Sequence, residues 1–240
     1  MKAIVLAAGL GTRLRPITLT TPKCLVPIAG VPLLELWLRE CERAGVEAVL
    51  VNTHHLADRV NEFVAARRGV PVRLAYEPEL LGSAGTIAAN WDFVEDAESF
   101  LVVYADNLTT FSLAELTAFH HRHGRIASIG LFRAANPSAC GIVEMDGSGL
   151  LTGFWEKPAH PPGNLANAGL YVFRREVRAY LPGGFPADVG HGLLPKLVGR
   201  AMGLEIRDYF VDIGTLENYE RAQTEYPAAC RAAVSERGTL

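Results

Sequence analysis

The chain has 240 residues, of which 49% are hydrophobic and 20% are charged, with a net charge of -3. This composition is ordinary for a soluble globular protein, and the charge excludes a general attraction to nucleic acid. No run approaches the roughly 18 apolar residues of a membrane-spanning helix, and the glycines and arginines after the first apolar run argue against a signal peptide. Four scattered cysteines favour reduced thiols over a zinc site or a disulfide framework. We therefore expect a cytoplasmic protein that binds neither nucleic acid nor membrane.

A buried strand is predicted at residues 2–7, and it opens into a loop that carries Gly9, Gly11, Arg13, Arg15 and Lys23. Such a loop offers bare backbone N–H groups to an anion, and its basic side chains add charge at the same place. We predict that this loop wraps the triphosphate of a nucleotide. A dinucleotide fingerprint would need a glycine three residues after Gly11, and a P-loop would need a G-x-x-x-x-G-K-[ST] run. The chain has neither, which excludes both motifs.

Helices and strands alternate from residue 33 to residue 132. Helices are predicted at residues 33–44, 56–67, 82–93 and 112–123, the last with Ser112 as its N-cap, and strands at residues 48–52, 72–76, 100–105 and 126–132. This alternation predicts right-handed β-α-β crossovers and a Rossmann-like α/β fold, with a mostly parallel sheet flanked by helices. Ligands of such sheets bind at the carboxyl ends of the strands, so we expect the loop and Asp106 to share one edge.

The pattern changes after about residue 136. A hairpin is predicted at residues 141–155, followed by a strand at 170–173, two short helices near 174–180 and 187–200, and an extended region at 204–211. Thr215 is expected to cap a final helix that starts near Leu216, and about the last dozen residues are expected to form a loosely held tail. Because no segment has the composition of a linker, we predict one domain over residues 1–240, with two halves at about 1–135 and 136–225.

Several short segments carry a resemblance to one enzyme family. They are GLGTRLRP (residues 9–16), PKCLVPI (22–28), GSAG (82–85), ADN (105–107), EKP (156–158), NAG (167–169) and DIGT (212–215). In this order they resemble the signature of the sugar-1-phosphate nucleotidyltransferases, or NDP-sugar pyrophosphorylases. The resemblance spans about residues 1–225 and implies a fold of the nucleotide-diphospho-sugar transferase type. In the family reaction, a nucleoside triphosphate and a sugar 1-phosphate give a nucleoside diphosphate sugar and pyrophosphate, by direct in-line attack.

The resemblance also implies roles for individual residues. Arg13, Lys23, Asp106 and Asp212 are the expected catalytic residues, and the two aspartates are expected to bind Mg²⁺ as the cofactor. The residues expected to bind the nucleotide are Leu6, Ala8, Gly9, Gly11, Thr12, Arg13, Gly82, Ser83 and Gly85. The residues expected to bind the sugar phosphate are Lys23, Asn107, Gly141, Glu156, Lys157, Asn167 and Gly169. The first half is then the nucleotide-binding half and the second the sugar-phosphate-binding half. The expected partners are an NTP and a sugar 1-phosphate, with a homo-oligomer left open.

The base and the sugar stay open at this stage. Residues 52–55, 81–86 and 162–169 look most like mannose-1-phosphate guanylyltransferases and heptose-phosphate relatives, which favours GTP and a manno-configured sugar phosphate. The alternative is a uridylyl- or thymidylyltransferase that acts on a glucose-type 1-phosphate. An alternative of another class is a non-catalytic paralogue that binds a sugar nucleotide and regulates another enzyme. Retention of all the charged catalytic positions argues against it. Some relatives carry a C-terminal left-handed β-helix, which we do not expect here.

Other reactive side chains are given structural interpretations. Many relatives have Pro in place of Cys24 and Thr in place of Ser83, but neither change removes a charge, and direct attack needs no thiol. The histidines at positions 120, 121 and 123 fall in the last turn of a predicted helix, where a partly charged imidazole favours the helix dipole. His54 and His55 follow a strand, and we expect them to support a loop without taking part in chemistry.

Overall fold

The computed structural model describes residues 1–237, and this part of the chain contains thirteen strands and six α-helices. The strands are β1 (Lys2–Leu6), β2 (Pro27–Ile28), β3 (Val31–Pro32), β4 (Ala48–Thr53), β5 (Val72–Tyr76), β6 (Ser99–Tyr104), β7 (Asn107–Thr109), β8 (Ala127–Arg133), β9 (Gly141–Met145), β10 (Leu151–Glu156), β11 (Leu165–Arg174), β12 (Ala201–Glu205) and β13 (Phe210–Asp212). The α-helices are α1 (Leu33–Arg43), α2 (Ala57–Ala66), α3 (Ser83–Ala89), α4 (Leu113–His123), α5 (Leu194–Leu197) and α6 (Leu216–Arg237).

The central strand β1 faces a hydrophobic core on each side of the sheet. Successive side chains of a strand point to opposite faces, so a strand that is apolar throughout must be covered twice. Ala3 and Val5 pack in a core that also contains apolar residues of α1, α2, α4 and α6. Ile4 packs in the other core, with residues of α3 and α5. None of these three β1 side chains is exposed, which explains the unbroken apolar run at the start of the chain.

The main sheet has the order β10-β9-β11-β6-β1-β4-β5, and β8 pairs with both β11 and β12. Strands β4, β1 and β6 pair in parallel, as do β4 with β5 and β8 with β12, while β11 is antiparallel to β6, β8 and β9. Following these pairings, seven of the nine described strands run in one direction, and β10 and β11 run in the other. The predicted Rossmann-like α/β fold with a mostly parallel sheet is therefore confirmed.

Strand β11 is longer than predicted and joins different parts of the sheet. Its start pairs with β9 through Ala166, and its end, from Leu170, pairs with β6. The register with β8 shifts between Asn167 and Tyr171, and Gly169 in this bulge has a φ of 68°. A left-handed conformation of this kind favours glycine. The bulge thus places the Asn-Ala-Gly segment next to the carboxyl end of β6.

Several local predictions need correction. Helix α4 begins after Ser112 as expected, but Ser112 makes no capping hydrogen bond, and Glu40 Oε1 accepts the Leu113 N–H at 3.0 Å instead. The two predicted short helices are a 3₁₀ turn at Arg175–Tyr180 and a π turn at Val189–Leu193 that continues into α5. Residues 229–237 of the predicted tail are helical and belong to α6, and residues 238–240 lie outside the described part.

Among the helices described here, none combines the length and the apolar composition needed to cross a membrane.

Candidate active site

Two carboxylates that are distant in sequence meet beyond the carboxyl end of β6. Asp106 precedes β7, Asp212 ends β13, and these two short strands pair antiparallel with Asn107 opposite Asp212. The Ile213 N–H also donates a hydrogen bond to the Asp106 carbonyl at 2.9 Å. Trp37 Nε1 donates to the buried carbonyl of Asn107 at 2.9 Å, which fixes the small sheet against α1. The backbone therefore sets the separation of the two carboxylates.

Lys23 lies between these carboxylates. Its Nζ is 2.8 Å from Asp106 Oδ2 and 3.7 Å from Asp212 Oδ1. The Lys23 side chain is 9% exposed, whereas those of Asp106 and Asp212 are 40% and 45% exposed. Arg13 extends the group, with Nη2 3.9 Å from Asp212 Oδ2 and 68% of its side chain exposed. The structure thus brings together all four predicted catalytic residues.

The carboxylate of Asp212 is the electrostatically unusual member of this group. The partial burial of this carboxylate, and next the charge of Asp106, raise the pKa of Asp212, while the charges of Lys23 and Arg13 act in the opposite direction. Asp212 Oδ1 is buried and accepts no hydrogen bond from residues 1–237. A carboxylate oxygen without a donor, beside a second carboxylate, fits a hard divalent cation such as Mg²⁺.

The set of protein ligands at this place is small. No cluster of three or more His, Cys, Asp or Glu side chains suited to a metal occurs within residues 1–237. Magnesium ions are commonly held by one or two carboxylates together with substrate phosphates and water. The pair of Asp106 and Asp212 is compatible with that arrangement.

Gly214 makes room for the contact between Arg13 and Asp212. A Cβ atom at Gly214 would lie 2.9 Å from Arg13 Nη2 and 2.9 Å from each carboxylate oxygen of Asp212. Any larger residue would push one of these groups away. The glycine of the DIGT segment therefore leaves room for the charged cluster, whereas Thr215 serves the following helix, where its Oγ1 accepts the Asn218 N–H at 3.2 Å.

A cavity of about 230 Å³ opens beside Lys23 and Asp106. Five of the predicted nucleotide-binding residues line it, namely Leu6, Ala8, Gly9, Gly82 and Ser83. Gly11, Thr12 and Arg13 belong to the adjoining loop and do not line the cavity. Gly85 faces elsewhere, because its N–H donates to the Ala187 carbonyl at 3.0 Å and a Cβ there would lie 2.9 Å from the Phe185 ring.

A polar network that our sequence reasoning missed forms one wall of the cavity. Asn52 Oδ1 accepts the Ala7 N–H at 2.6 Å, and Asn52 Nδ2 donates to Glu77 Oε1 at 2.9 Å. Thr86 Oγ1 also donates to Glu77 Oε1, and the Leu81 N–H donates to Glu77 Oε2 at 3.1 Å. Asn52, Glu77 and Thr86 are all buried. The available signal was their position, since Asn52 lies next to the end of the apolar strand β4 and Glu77 directly follows β5.

The GSAG segment is held by a second loop. A Cβ atom at Gly82 would lie 2.5 Å from the Ala187 carbonyl oxygen, and Gly82 has a φ of 75°. The Ala84 N–H donates to that same oxygen at 2.8 Å. Ser83 makes no capping hydrogen bond to α3, and its Oγ instead accepts the Val189 N–H at 2.8 Å. The glycine at position 82 therefore admits a neighbouring backbone.

The predicted sugar-phosphate residues divide into two groups. In the first group, Glu156 lies where Gly141 and Gly190 leave space for its carboxylate. A Cβ atom at Gly141 would lie 2.8 Å from Oε2, and one at Gly190 would clash with it. Lys157 Nζ is 3.9 Å from Glu156 Oε1. Asn107 instead donates from Nδ2 to the Ala168 carbonyl at 2.7 Å.

Asn167 is also engaged within the protein. Its Nδ2 donates to the Tyr171 hydroxyl at 2.7 Å, and its Oδ1 accepts the Gly169 N–H at 3.0 Å. Asn107, Asn167 and Gly169 thus shape the bulge in β11.

The remaining candidates have structural roles. Burial raises the pKa of the Cys24 thiol to about 12, so it is protonated and unreactive at neutral pH. The buried side chain of His120 contacts Ser128 Oγ at 2.9 Å, and burial, followed by the charges of neighbouring histidines, lowers its pKa to about 4. The expectation of a partly charged imidazole is therefore wrong for His120. His54 and His55 bond backbone carbonyls of two loops, as expected for a supporting role.

Comparison with known proteins agrees with this geometry. A model of the nucleotidyl transferase family matches residues 2–229. The chain is 31% identical to the mannose-1-phosphate guanylyltransferase catalytic subunit beta of Danio rerio, over 99% of this chain and 68% of that protein. It is 33% identical to a UTP–glucose-1-phosphate uridylyltransferase of Synechocystis sp., over 92% of this chain and 62% of that protein.

The chain thus spans about two thirds of the length of these relatives. A solved structure of a UDP-glucose pyrophosphorylase with UDP-glucose has the same fold, with a TM-score of 0.83 at 22% identity over 95% of this chain and 98% of that one. Family match, fold and charged cluster agree, and the chain belongs to the nucleotidyl transferase family, among the sugar-1-phosphate nucleotidyltransferases.

Proposed function

We propose that this protein transfers a guanylyl group from GTP to a mannose- or heptose-type sugar 1-phosphate, with Mg²⁺ as cofactor. The observation that carries the proposal is the position of Lys23, between Asp106 and Asp212 and beside a cavity lined by the glycine-rich loop. An ammonium group held in this way suits a reaction that must bring two phosphates together.

The reaction needs no protein nucleophile. An oxygen of the sugar phosphate forms a bond to the α-phosphorus of GTP, and the bond from that phosphorus to the bridging oxygen of the β-phosphate breaks. Pyrophosphate takes the bonding electron pair and leaves. Catalysis is then positioning and neutralisation of charge. Lys23 contacts the α-phosphate and the sugar phosphate, while Gly9, Gly11, Thr12 and Arg13 hold the departing phosphates.

Asp106 and Asp212 are the residues that would hold Mg²⁺. When bound, the ion supplies positive charge to the phosphate oxygens at which negative charge develops. The Oδ1 of Asp212, which accepts no hydrogen bond among the described residues, supports this assignment. In the free protein Lys23 and Arg13 together balance the two carboxylates, so metal and substrate enter a site whose charges already compensate one another.

Glu77, in the wall of the cavity, favours a nucleobase that carries a ring N–H donor. Glu77 Oε1 already accepts hydrogen bonds from Asn52 and Thr86, whereas Oε2 accepts the Leu81 N–H and keeps one free acceptor position among the described residues. Guanine offers a ring N–H and an adjacent amino group on one edge, and uracil and thymine offer one ring N–H. A single carboxylate acceptor therefore suits the ring N–H of guanine, uracil or thymine, and suits cytosine and adenine, which lack that donor, less well.

One alternative keeps the reaction and changes the substrates. The likeness to a Synechocystis UTP–glucose-1-phosphate uridylyltransferase, at 33% identity, supports a uridylyl- or thymidylyltransferase that uses a glucose-type 1-phosphate. A non-catalytic regulatory paralogue is the alternative of another class. It is disfavoured because such a protein has little need for Lys23 and two carboxylates in contact.

Release of pyrophosphate from pairs of substrates tests the proposal. The purified protein is assayed with Mg²⁺, with GTP, UTP, dTTP, ATP or CTP, and with mannose, glucose and heptose 1-phosphates, with the Lys23→Met variant as the control. We expect GTP with a manno-configured sugar phosphate to give the highest kcat/KM. A preference for UTP or dTTP with glucose 1-phosphate would overturn the specificity and favour the alternative. No release with any pair would overturn the enzymatic function.

A further inference from the structure

His55, which lies outside the charged cluster, contacts the backbone of the segment that follows the glycine-rich turn. His55 follows β4 at the carboxyl edge of the sheet, and its Nε2 lies 2.8 Å from the carbonyl oxygen of Thr18. A carbonyl only accepts hydrogen bonds, so this nitrogen must carry the proton. The preceding residue, His54, bonds the Glu77 carbonyl through Nδ1 at 2.7 Å. Neighbouring imidazoles thus hold the backbones of two different loops.

Thr18 transmits this contact to Gly11. Thr18 is 1% exposed, and its Oγ1 donates to the Gly11 carbonyl at 2.7 Å. Gly11 has a φ of 62°, and a Cβ there would lie 2.8 Å from Thr18 Cγ2 and 3.3 Å from Lys23 Cβ. The turn at Gly11 is therefore packed directly on Thr18 and on the stem of Lys23.

The orientation of one peptide unit follows from these contacts. In a trans peptide the carbonyl of one residue and the N–H of the next point in opposite directions. The Gly11 carbonyl is drawn inward by Thr18 Oγ1 at 2.7 Å and by the Leu14 N–H at 3.0 Å. The N–H of Thr12, an exposed residue, must then point away from Thr18. The proposed function assigns the departing phosphates to this exposed part of the loop.

We propose that His55 is a positioning residue that acts through Thr18 to hold the Gly11–Thr12 peptide in the orientation that binds phosphate. This inference rests on the proposed function for the identity of the ligand, because that function assigns the departing pyrophosphate to the loop. His55 itself touches neither the cavity nor the charged cluster, so it is not a catalytic residue.

Direct binding of Mg²⁺-pyrophosphate, measured by titration calorimetry, tests this role without requiring turnover. The full chain is compared as wild type, His55→Ala, His55→Gln and, as the control, His121→Gln at an exposed position on α4. A glutamine keeps an N–H donor near the position of the imidazole Nε2. We expect His55→Ala to weaken binding about tenfold, the scale of one lost oriented contact. His55→Gln and His121→Gln should stay within about twofold of wild type.

Turnover then separates positioning from general loosening. In His55→Ala the KM for GTP should rise while the KM for the sugar 1-phosphate stays within about twofold. An equal rise in both constants would indicate a merely structural role and overturn the inference. Thr18→Val, which keeps the shape of the side chain but loses Oγ1, should weaken pyrophosphate binding in the same direction. If His55→Ala does not fold, the binding of pyrophosphate by Thr18→Val tests whether contacts through Thr18 position the loop.

The remaining outcomes are also distinct. Unchanged pyrophosphate binding in both His55→Ala and Thr18→Val would overturn the inference, as would a wild-type protein that binds no pyrophosphate. Equal weakening in His55→Ala and His55→Gln would overturn its basis in a hydrogen bond. If the variants bind as expected but the wild type turns over no substrate pair, the positioning role stands and the proposed enzymatic function fails.

Discussion

Replacing Lys23 by Met removes the positive charge between the two carboxylates and keeps most of the apolar stem. At an effective dielectric constant of about 20, Coulomb's law gives roughly 6 and 4.5 kcal/mol for the distances of 2.8 and 3.7 Å to Asp106 and Asp212. Both carboxylates are more than a third exposed, so solvent screening reduces each contribution to about 1 kcal/mol or less. The loss of folding stability should therefore stay below about 2 kcal/mol.

The effect of Lys23→Met on the reaction should be larger. An oriented contact that strengthens in the transition state is worth about a hundredfold or more in kcat, or roughly 2.7 kcal/mol. We therefore expect kcat to fall at least about a hundredfold while the melting temperature falls by a few degrees. Because Lys23 opposes the raised pKa of Asp212, its removal should raise that pKa further and move the acidic limb of the pH–rate profile to higher pH.

Continuous detection of pyrophosphate gives kcat and KM for the variant, and thermal unfolding reports its stability. The matched control is Lys196→Met, which removes the same charge at an exposed position on α5. This control should leave kcat within about twofold of wild type. A Lys23→Met protein that folds normally and keeps kcat within about threefold of wild type would refute the bridging role.

Three further predictions concern the metal, the buried histidines and the GSAG segment. Asp212→Asn should raise the Mg²⁺ concentration needed for half-maximal activity, and an unchanged titration would contradict its role as a ligand. The pKa of His120 falls from 6.5 to about 4 on folding, so the unfolded chain binds a proton that the folded chain excludes. The free energy of unfolding should fall by about 1.4 kcal/mol between pH 7.5 and pH 5.5; urea unfolding of His120→Gln should lack this component, and an identical pH slope would refute it. Gly82→Ala should disrupt the contact with Ala187 and weaken nucleotide binding, whereas Gly147→Ala, with open space around it, should bind normally; equal binding by both variants would contradict the packing argument.

The elements of the first half could be predicted from sequence because their signals are local. The apolar run of β1 and the helical spacing before Gly45 each lie within a few residues, and the structure has β1 and α1 at those places. The long strand β11 was predicted too short, since its first residues include the polar Asn167. The bulge there depends on partners in β6 and β8, which no local pattern describes.

The charged cluster was predicted through family resemblance, and its geometry required the fold. Asp106 and Asp212 are brought together by β7 and β13, which have three residues each and leave no periodic signal. The buried carboxylate of Glu77 was missed for a related reason. An acidic residue after a strand is ordinarily exposed, and its burial depends on hydrogen bonds from Asn52 and Thr86.

The position of β11 has a consequence for the order in which the chain is synthesised. Strand β8 pairs with β11 and β12 within the described residues, and both follow it in the sequence. When residue 133 emerges from the ribosome, the strand that will separate β8 from β6 has not yet emerged. Two apolar strands then present unpaired edges, which are sites of association between chains. The nascent protein must therefore pass through an interval of exposed sheet edges, which ends only when Glu205 completes β12.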